Sequence, residues 1–586
     1  MITITDDAYE GKTAVESDGL SDHARFDSIL IVTYGRSGST LLQGVLNTLP
    51  GVVVRGENHD FCWGLYTAWK SLVATKSKHS GPRTRSPQSA FFGGIDINPD
   101  RFLKQAQNLL KDQICPAGTS EAVRWGFKEI RYLDHLDELP EFLDFLALLL
   151  PNPAIIFNTR DHDFVCKSGF WKKVSEQEVR KKLLLADRLF FDYARSNDNA
   201  FICRYERVVL GVEGLRPLFE FLGTRPDPTA LEQVMMTPHS YDQKQETLKS
   251  GAQLAQKTAP SLSSLPTDIS SCQPERPFDT YVARGSVAVF CVVKNEELRL
   301  PWFLNYYRNL GCKDFIFIDN GSTDGTLEYL RHQEDVFLYR APVQEYVSSR
   351  FGTNWINELG PRHAMRRWVL LADIDEILAW PEQDQEGLYG LTMRAERLGL
   401  NRVFTPMVDV YPEEPCDTLS DYEAGKPFEE YAWLMDHVSY AKAKFVKRGL
   451  RINSGPRARF LNFETQPPLM SKQNLYYVEP NGFEHDGSHF DTYGMPSPLV
   501  VLLLHFKFLP DFKNRMRTAV AEGQYWNNAA RYKNYESQQL FSRSLTFEGS
   551  VDFRSDEGLK KYIDVLSSHI IRTGLAGSVH LKKFNP

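Results

Sequence analysis

The stretch SILIVTYGRSGSTLLQGVLN, from Ser28 to Asn47, decides the fold of the first half of the chain. Its first six residues have the apolar character of a buried strand, and from Ser39 onward apolar side chains recur at helical spacing. The loop between them, Tyr34–Ser39, contains two glycines that let the backbone approach a ligand closely. Because such a loop points backbone N–H groups and the positive end of a helix dipole at one spot, it predicts an anion site.

This loop does not match the phosphate loop of nucleoside-triphosphate enzymes. That motif reads G-x-x-x-x-G-K-[ST], with a lysine directly before the hydroxyl residue. Here Gly35 and Gly38 are too close together, and Ser39 stands where the lysine is required. The sequence therefore disfavours a kinase or an ATPase.

The segment Tyr34–Thr40 instead resembles the 5′-phosphosulfate loop of sulfotransferases that use 3′-phosphoadenylyl sulfate (PAPS). Many members have lysine where this chain has Arg36, whereas carbohydrate-directed and bacterial members often have arginine. The family also has an arginine at a strand end and a serine eight residues later, which Arg160 and Ser168 match after the run AIIFN. The resemblance covers roughly residues 26–244 and implies a P-loop-like fold with a parallel sheet.

The resemblance also implies which residues contact PAPS. The loop and its arginine would stabilise charge on the leaving 5′-phosphate, while the arginine–serine pair grips the 3′-phosphate. A tyrosine at a later strand end lies near the cofactor in this family, or is simply structural. The residues assigned to PAPS in this way are Gly35, Arg36, Ser37, Gly38, Ser39, Thr40, Arg160, Ser168 and Tyr205.

Sulfuryl transfer needs a general base for the acceptor hydroxyl, and two residues after the run Val52–Val54 qualify. The resemblance to bacterial members favours Glu57, and the cytosolic aryl and steroid enzymes, which use histidine, keep His59 as the alternative. A helix cap and a surface histidine are the ordinary structural explanations. Three charged residues further on suit either the acceptor cleft or plain surface: Lys128, Glu129 and Arg131.

The second half of the chain places polar motifs at the ends of three predicted strands. The strands are SVAVFCVV (Ser286–Val293), DFIFID (Asp314–Asp319) and RWVLLADID (Arg367–Asp375). Their alternation with helical patterns predicts an α/β class, as in the first half. Asp373 and Asp375 end the third strand, and two carboxylates there are costly unless a cation lies between them.

These motifs together resemble family 2 glycosyltransferases and their relatives of GT-A fold, over roughly residues 285–526. The resemblance implies a nucleotide-sugar donor, expected to be a UDP-sugar, and Mn²⁺ or Mg²⁺ bridging its diphosphate. The implied donor contacts are Asn295, Glu296, Asp319, Ser322, Asp324 and Asp373. The implied metal ligands are Asp373, Asp375 and His505, the last of which is otherwise a core histidine.

The general base of the second half is left open between four acidic residues, Asp409, Glu484, Asp486 and Glu522. Four aromatic residues suit either sugar stacking or ordinary packing, namely Tyr411, Trp433, Tyr525 and Trp526. Neither the inverting or retaining outcome nor the acceptor follows from the sequence.

Composition excludes several other classes of protein. A net charge of −7 without a long Lys/Arg run disfavours a nucleic-acid partner. Eight cysteines without a C-x-x-C pair disfavour a disulfide framework and a zinc knuckle, and they fit a reducing compartment. The opening MITITDDAYEGKTAVE is unlike a signal peptide, and no apolar run is long enough to span a bilayer. We therefore expect a cytoplasmic protein without a transmembrane segment; peripheral membrane contact and the oligomeric state are left open.

The sequence predicts two α/β domains, each with its own chemistry. The predicted parts are a polar tail (1–25), a sulfotransferase domain (26–245), a linker (246–283), a glycosyltransferase domain (284–530) and a helical extension (531–586). The predicted activity is bifunctional, adding a sulfuryl group and a sugar to a glycan, glycolipid or other carbohydrate. The alternative is that only one domain is catalytic and the other is a binding module.

Overall fold

The computed structural model describes residues 25–114, 124–237, 272–446, 449–460, 470–479, 496–522 and 526–574. The chain divides into two compact units, one of residues 1–251 with 397–399 and the other of residues 252–396 with 400–586. Most of the predicted tail and linker lies outside the described residues, so these limits stay predictions.

The first unit contains a five-stranded sheet in which every strand is parallel to its neighbours. Its strands are β1 (Ser28–Thr33), β2 (Val52–Arg55), β3 (Arg124–Glu129), β4 (Pro153–Thr159) and β5 (Ala200–Arg204), in the order β2-β3-β1-β4-β5. All six residues of β1 are buried, because the strand lies in the centre of the sheet. The predicted parallel sheet is confirmed, and the loop after β1 lies at the carboxyl edge, where ligands of such sheets bind.

Nine helices are described in the first unit. They are α1 (Ser39–Leu46), α2 (Phe61–Lys78), α3 (Pro99–Ile114), α4 (Leu139–Leu149), α5 (His162–Cys166), α6 (Glu176–Ser196), α7 (Tyr205–Val208), α8 (Val212–Leu222) and α9 (Pro228–Met236). The apolar face of α1 is buried among residues of β1, β4 and α8. This packing holds the start of α1 at the end of the central strand.

The second unit contains a seven-stranded mixed sheet. Its strands in chain order are β6 (Gln273–Pro274), β7 (Val287–Val293), β8 (Asp314–Asp319), β9 (Val336–Arg340), β10 (Trp368–Leu371), β12 (Arg402–Val403) and β17 (Leu475–Tyr477). The order is β12-β17-β10-β7-β8-β9-β6. Strands β10, β7, β8 and β9 are parallel to one another. The pairs β17–β10, β12–β17 and β6–β9 are antiparallel. The predicted α/β class is therefore also found here.

The predicted strand Arg367–Asp375 differs from what the structure contains. Strand β10 ends at Leu371, Asp373 and Asp375 lie in or beside a turn, and the chain then enters β11 (Glu376–Ala379). Strand β11 belongs to a separate three-stranded sheet with β13 (Met407–Asp409) and β18 (Leu502–His505), in the order β11-β18-β13. A continuous apolar pattern cannot reveal a chain that leaves one sheet for another, because both strands are buried.

Two short antiparallel pairs and eight helices complete the second unit. The pairs are β14 (Leu434–Asp436) with β19 (Ser550–Asp552), and β15 (Lys442–Val446) with β16 (Gly449–Asn453). The helices described are Leu300–Asn309, Thr326–Arg331, Thr353–Ala364, Gln383–Arg397, Gly455–Phe460, Phe512–Glu522, Trp526–Ser537 and Lys561–Gly574. The segment predicted as a helical extension thus also supplies a strand, and its Tyr562 and Leu566 are buried in the core.

Among the described helices, none combines the length and the apolar character that crossing a membrane requires.

Candidate functional site

The loop after β1 has the backbone geometry expected of an anion site. Arg36 and Gly38 adopt left-handed conformations, with φ of 73° and 84°. Gly38 precedes helix α1, whose first turn contains no acidic residue and receives no hydrogen bond from a capping side chain. The N–H groups at the start of α1 therefore meet no competing carboxylate from their own helix.

The side chains of the predicted PAPS contacts have different environments. Ser37 is buried, and its hydroxyl accepts a hydrogen bond from Thr33 Oγ1 at 2.7 Å. Ser39 is also buried, whereas Thr40 is exposed. Of these hydroxyl groups, that of Thr40 is the most accessible.

Tyr205 lies directly against the loop. A Cβ atom on Gly38 would be 2.1 Å from its ring, so no other residue fits at position 38 without moving the tyrosine. The guanidinium carbon of Arg160 lies 4.0 Å from the centroid of the same ring. This cation–π contact holds Arg160 beside the loop.

The structure brings together the two motifs that the sequence paired. Arg36 donates from Nε to Ser168 Oγ at 2.8 Å, and Arg160 donates from Nη1 to the carbonyl oxygen of Arg36 at 3.2 Å. The Nε atom of Arg160 is buried and has no hydrogen-bond partner among the described residues. Two arginines and a serine thus meet at one loop, and one N–H donor remains for a hydrogen bond to a ligand.

Two aromatic residues that the sequence analysis did not assign also cover the loop. Trp171 donates from Nε1 to the carbonyl oxygen of Gly35 at 3.0 Å. A Cβ atom on Gly35 would be 2.5 Å from the ring of Phe170. Their only signal in the sequence is their position two and three residues after Ser168.

Glu57 forms an ion pair with a buried lysine. Its Oε1 lies 2.8 Å from Lys128 Nζ, and its Oε2 lies 3.9 Å from Arg131 Nη1. The Lys128 side chain is 6 % exposed and that of Glu57 is 35 % exposed, so the carboxylate reaches solvent from a buried partner. Helix α2 has Asp60 at its N-cap, so Glu57 is not the cap of that helix. His59 is exposed and has a φ of 57°.

Glu129 holds the segment that carries Glu57. Its buried carboxylate accepts hydrogen bonds from the backbone N–H groups of Asn58 (3.2 Å) and Asp60 (3.0 Å) through Oε2. Its other oxygen accepts from Ile130 N and Arg131 Nη1. Burial acts to raise the pKa of Glu129, but these hydrogen bonds outweigh it and hold the pKa below its usual range. Lys128 and Glu129 are therefore buried residues and not plain surface.

In the second unit, the predicted donor contacts bind to one another. Asp319 accepts hydrogen bonds from the N–H groups of Gly321 (3.1 Å) and Ser322 (3.2 Å). Asn295 donates its N–H to Ser322 Oγ at 2.9 Å and accepts from Thr323 N at 2.7 Å. These bonds join the loops that follow β7 and β8, so much of the polar capacity of these residues is used to shape the loops.

Asp324 and Glu296 also bind groups of the protein itself. Asp324 accepts a hydrogen bond from Thr326 N at 3.0 Å. Glu296 is buried between Arg299 Nη1 at 3.2 Å and Arg515 Nη2 at 2.6 Å. Burial raises the pKa of Glu296, and the two arginines offset only part of that effect. Glu296 therefore faces two protein cations.

The three predicted metal ligands are not grouped together. His505 Nε2 lies 3.6 Å from Asp375 Oδ2, whereas the Asp373 side chain is 65 % exposed and lies 3.9 Å from Lys472 Nζ. Among the described residues, no three His, Cys, Asp or Glu side chains are close enough to hold a metal ion. The structure thus pairs two of the three predicted ligands.

Asp375 is a buried carboxylate among basic side chains. Burial alone would raise its pKa, but His505, Lys507 and Arg515 hold the pKa of Asp375 well below its usual range. Arg515 Nη1 lies 3.7 Å from the same oxygen that faces His505. Asp375 is therefore ionised at neutral pH.

Asp409 lies behind His505 in a fully buried ion pair. Its oxygens accept from Arg457 Nε (2.7 Å) and Nη2 (2.6 Å), and from His505 Nδ1 at 2.8 Å. Burial alone would raise the pKa of Asp409, but Arg457 and His505 lower it to about 2. An acceptor sugar cannot reach this carboxylate, so Asp409 is removed from the general-base candidates.

The remaining general-base and sugar-stacking candidates form two groups, those within the described residues and those outside them. Tyr411 is a core residue whose hydroxyl donates to Asp436 at 2.8 Å, and Trp433 packs against the core. The remaining base and stacking candidates have side chains outside the described residues, namely Glu484, Asp486, Glu522, Tyr525 and Trp526.

No family model matches this chain, and no curated protein matches it. Among solved structures, it is similar to the sulfotransferase domain from the Synechococcus PCC 7002 olefin synthase at 18 % identity and a TM-score of 0.24, covering 39 % of this chain and 85 % of that one. It is also similar to the sulfotransferase STF9 from Mycobacterium avium at 13 % identity and a TM-score of 0.19, covering 41 % of this chain and 79 % of that one. Likenesses this weak carry no argument about activity.

Proposed function

We propose that the first unit transfers a sulfuryl group from PAPS to a carbohydrate acceptor. The observation that carries this proposal is the meeting of Arg36, Arg160 and Ser168 at a loop that ends in an uncapped helix start. Two guanidinium groups suit a ligand with two separate phosphates better than a ligand with one.

Each basic group has a distinct role in this proposal. Arg36 and the N–H groups of the loop stabilise the charge that develops on the 5′-phosphate as its bond to sulfur breaks. Arg160, held by Tyr205 and with its buried Nε free for an acceptor, binds the 3′-phosphate. The loop is thus preorganised before the cofactor arrives.

Glu57 is the general base in this proposal, and His59 is the alternative. The acceptor oxygen bonds to sulfur, the sulfur–oxygen bond to the 5′-phosphate breaks, and the acceptor proton passes to the base. The products are a sulfate ester and adenosine 3′,5′-bisphosphate. Lys128 holds one carboxylate oxygen of Glu57, and the other oxygen is available to the acceptor hydroxyl.

The test is transfer of labelled sulfate from PAPS to a panel of glycans and glycolipids. We expect Arg36→Ala to lower transfer about 10²- to 10³-fold, since it removes charge aimed at the leaving phosphate. Arg188→Ala is the matched control, because it removes an arginine that pairs with Asp192 on the outside of α6. Equal rates for Arg36→Ala and wild type would contradict the proposal.

A second activity, metal-dependent transfer from a nucleotide sugar by the second unit, rests on a different observation. In this proposal, Nδ1–H of His505 donates to the Asp409 carboxylate, which can only accept hydrogen bonds. The lone pair of neutral Nε2 then faces the Asp375 carboxylate at 3.6 Å. Two acceptors opposed in this way favour a cation between them; the carboxylate suits Mn²⁺ or Mg²⁺, whereas the imidazole suits Zn²⁺ or Fe²⁺ better.

In this second proposal, a UDP-sugar lies at the loops of Asn295, Asp319 and Asp324, with Asp373 beside it. When bound, the metal would neutralise charge on the leaving diphosphate. Arg515 is the competing source of that charge, because it already lies 3.7 Å from Asp375. The general base stays open.

Chelation separates the two proposals. We expect EDTA to stop glycosyl transfer and to leave sulfuryl transfer unchanged, since the first unit relies on arginines and backbone amides. Glycosyl transfer that survives chelation would assign charge neutralisation to Arg515. If only one of the two transfers is detected with any donor, the other unit is a binding module.

A further inference from the structure

A surface segment of the first unit combines exposed aromatic rings with positive charge. Residues 61–95 contain five Lys or Arg residues and no Asp or Glu, in a chain whose net charge is −7. At the end of this stretch, Phe91 and Phe92 are 44 % and 60 % exposed. Residues 76–95 are called the basic–aromatic segment below.

The basic–aromatic segment is folded back on itself. Gly93 donates its N–H to the carbonyl oxygen of Thr84 at 3.0 Å, and the ring of His79 stacks on Phe91 at 3.4 Å. Lys76 donates to the carbonyl oxygen of Ile95 at 2.6 Å. These contacts hold the two halves of the segment together.

The fold of this segment places cations next to the exposed rings. Thr84 lies between Arg83 and Arg85 in the chain, and its partner Gly93 directly follows Phe92. Arg83 and Arg85 are exposed and form no ion pair with any described acidic residue. Lys78, also exposed, adds a third positive charge beside His79.

We propose that the basic–aromatic segment docks the protein on an anionic lipid surface. Phenylalanine rings partition into the interface of a bilayer, and nearby Lys and Arg side chains attract anionic headgroups. Each signal alone gives weak binding, and the two together give reversible attachment. This proposal does not depend on the proposed chemistry of either unit.

A membrane explains this surface better than a soluble polyanion does. An acidic polysaccharide is attracted by the Lys and Arg side chains of the segment alone. Such a polymer has no apolar layer for two exposed phenylalanines to enter. A bilayer presents negative charge and an apolar layer at one boundary, which matches both features of the segment.

The test is co-sedimentation of the full chain with vesicles. We expect binding to phosphatidylcholine vesicles that contain about 30 % phosphatidylserine, and little binding to pure phosphatidylcholine. The double variant Arg83→Ser/Arg85→Ser should lower the partition coefficient about 30-fold. Phe92→Ser should lower it about tenfold, because the ring no longer enters the interface.

Matched controls come from helix α6 of the same unit. Lys181→Ser/Lys182→Ser removes two exposed positive charges, and Leu184→Ser removes a side chain that is 54 % exposed. Both should bind vesicles like wild type, and circular dichroism should show that every variant is folded. Absent binding to anionic vesicles, or equal losses in the α6 variants, would overturn the proposal. Binding to heparin through Arg83 and Arg85 without binding to vesicles would overturn it too, in favour of a soluble polyanion.

Discussion

The two candidate sites both lie where parallel strands end, yet they treat charge in opposite ways. In the first unit, two arginines converge on a loop, and the buried Nε of Arg160 has no hydrogen-bond partner within the described part of the chain. In the second unit, buried carboxylates such as Glu296 and Asp409 are already paired with protein cations. Arginines that converge on a loop suit an anion, whereas carboxylates buried with arginines are already neutralised by the protein.

This difference bears on what a ligand would gain at each site. An anion that enters the first site satisfies a donor that otherwise lies buried without a partner, so binding removes a cost. A cation that enters the second site competes with Arg515 for Asp375. The loop of the first unit is therefore better preorganised for its ligand than the site of the second unit is.

The largest expected effect is on the proposed base of the first site. Glu57→Gln keeps the size of the side chain and removes its basicity, so we expect sulfuryl transfer to fall about 10³-fold. Affinity for adenosine 3′,5′-bisphosphate should stay within about twofold, because no phosphate contact is lost. Isothermal titration with the bisphosphate and labelled-sulfate transfer measure the two quantities. Near-normal turnover would pass the role to His59.

The next largest expected effect concerns Arg160. The question is whether its Nε–H binds a phosphate of the cofactor. Arg160→Ala should weaken binding of adenosine 3′,5′-bisphosphate about 10- to 100-fold, since a charge-assisted contact is removed. Arg188→Ala should bind the bisphosphate like wild type. If the two variants bind alike, the unpaired Nε of Arg160 has no role in binding, and the contrast between the two sites weakens.

The metal site proposed for the second unit is tested through Asp409, which lies against Nδ1 of His505. Asp409→Asn removes the charge that fixes the Nδ1–H tautomer, so Mn²⁺ affinity should fall about tenfold or more. Asp436→Asn is the matched control, because Asp436 is also a buried partner of an arginine, Arg459, and its other side-chain partner is the Tyr411 hydroxyl. Electron paramagnetic resonance of added Mn²⁺ in the full chain measures the affinities. Equal affinities in both variants, or no Mn²⁺ binding by wild type, would leave Arg515 as the charge that serves Asp375.

The sequence predicted the strands better than it predicted which side chains pair with one another. SILIVT and DFIFID coincide with β1 and β8, because strands buried on both faces are continuous apolar runs. The Arg160–Ser168 spacing singled out two residues that contact Arg36 in the structure, a contact that the sequence did not predict. By contrast, Lys128 pairs with Glu57 across 71 positions, and His505 with Asp409 across 96. No local pattern encodes such pairs, because they arise only when separate strands become neighbours.

The smallest expected effect concerns Glu129, which ties the base segment to β3. Its pKa is depressed in the folded protein, so it contributes stability above the unfolded-state pKa of about 4.3, and that contribution is lost as pH falls through the folded value. Glu129→Gln should therefore lower the free energy of unfolding by about 1–2 kcal/mol at neutral pH. The difference from wild type should shrink in acid below pH of about 4.

Urea titrations of wild type and Glu129→Gln at neutral and acid pH measure this difference, provided that both unfold in a single transition. Glu138→Gln is the control, because Glu138 also has a lowered pKa, from Lys70, but is exposed to solvent. Its contribution should fade at high salt, whereas that of the buried Glu129 should persist. A Glu129 contribution that fades with salt as that of Glu138 does would mean that solvent reaches the carboxylate. The segment carrying Glu57 would then be held no more firmly than an ordinary surface loop, and the first site would lose its claim to be the better prepared of the two.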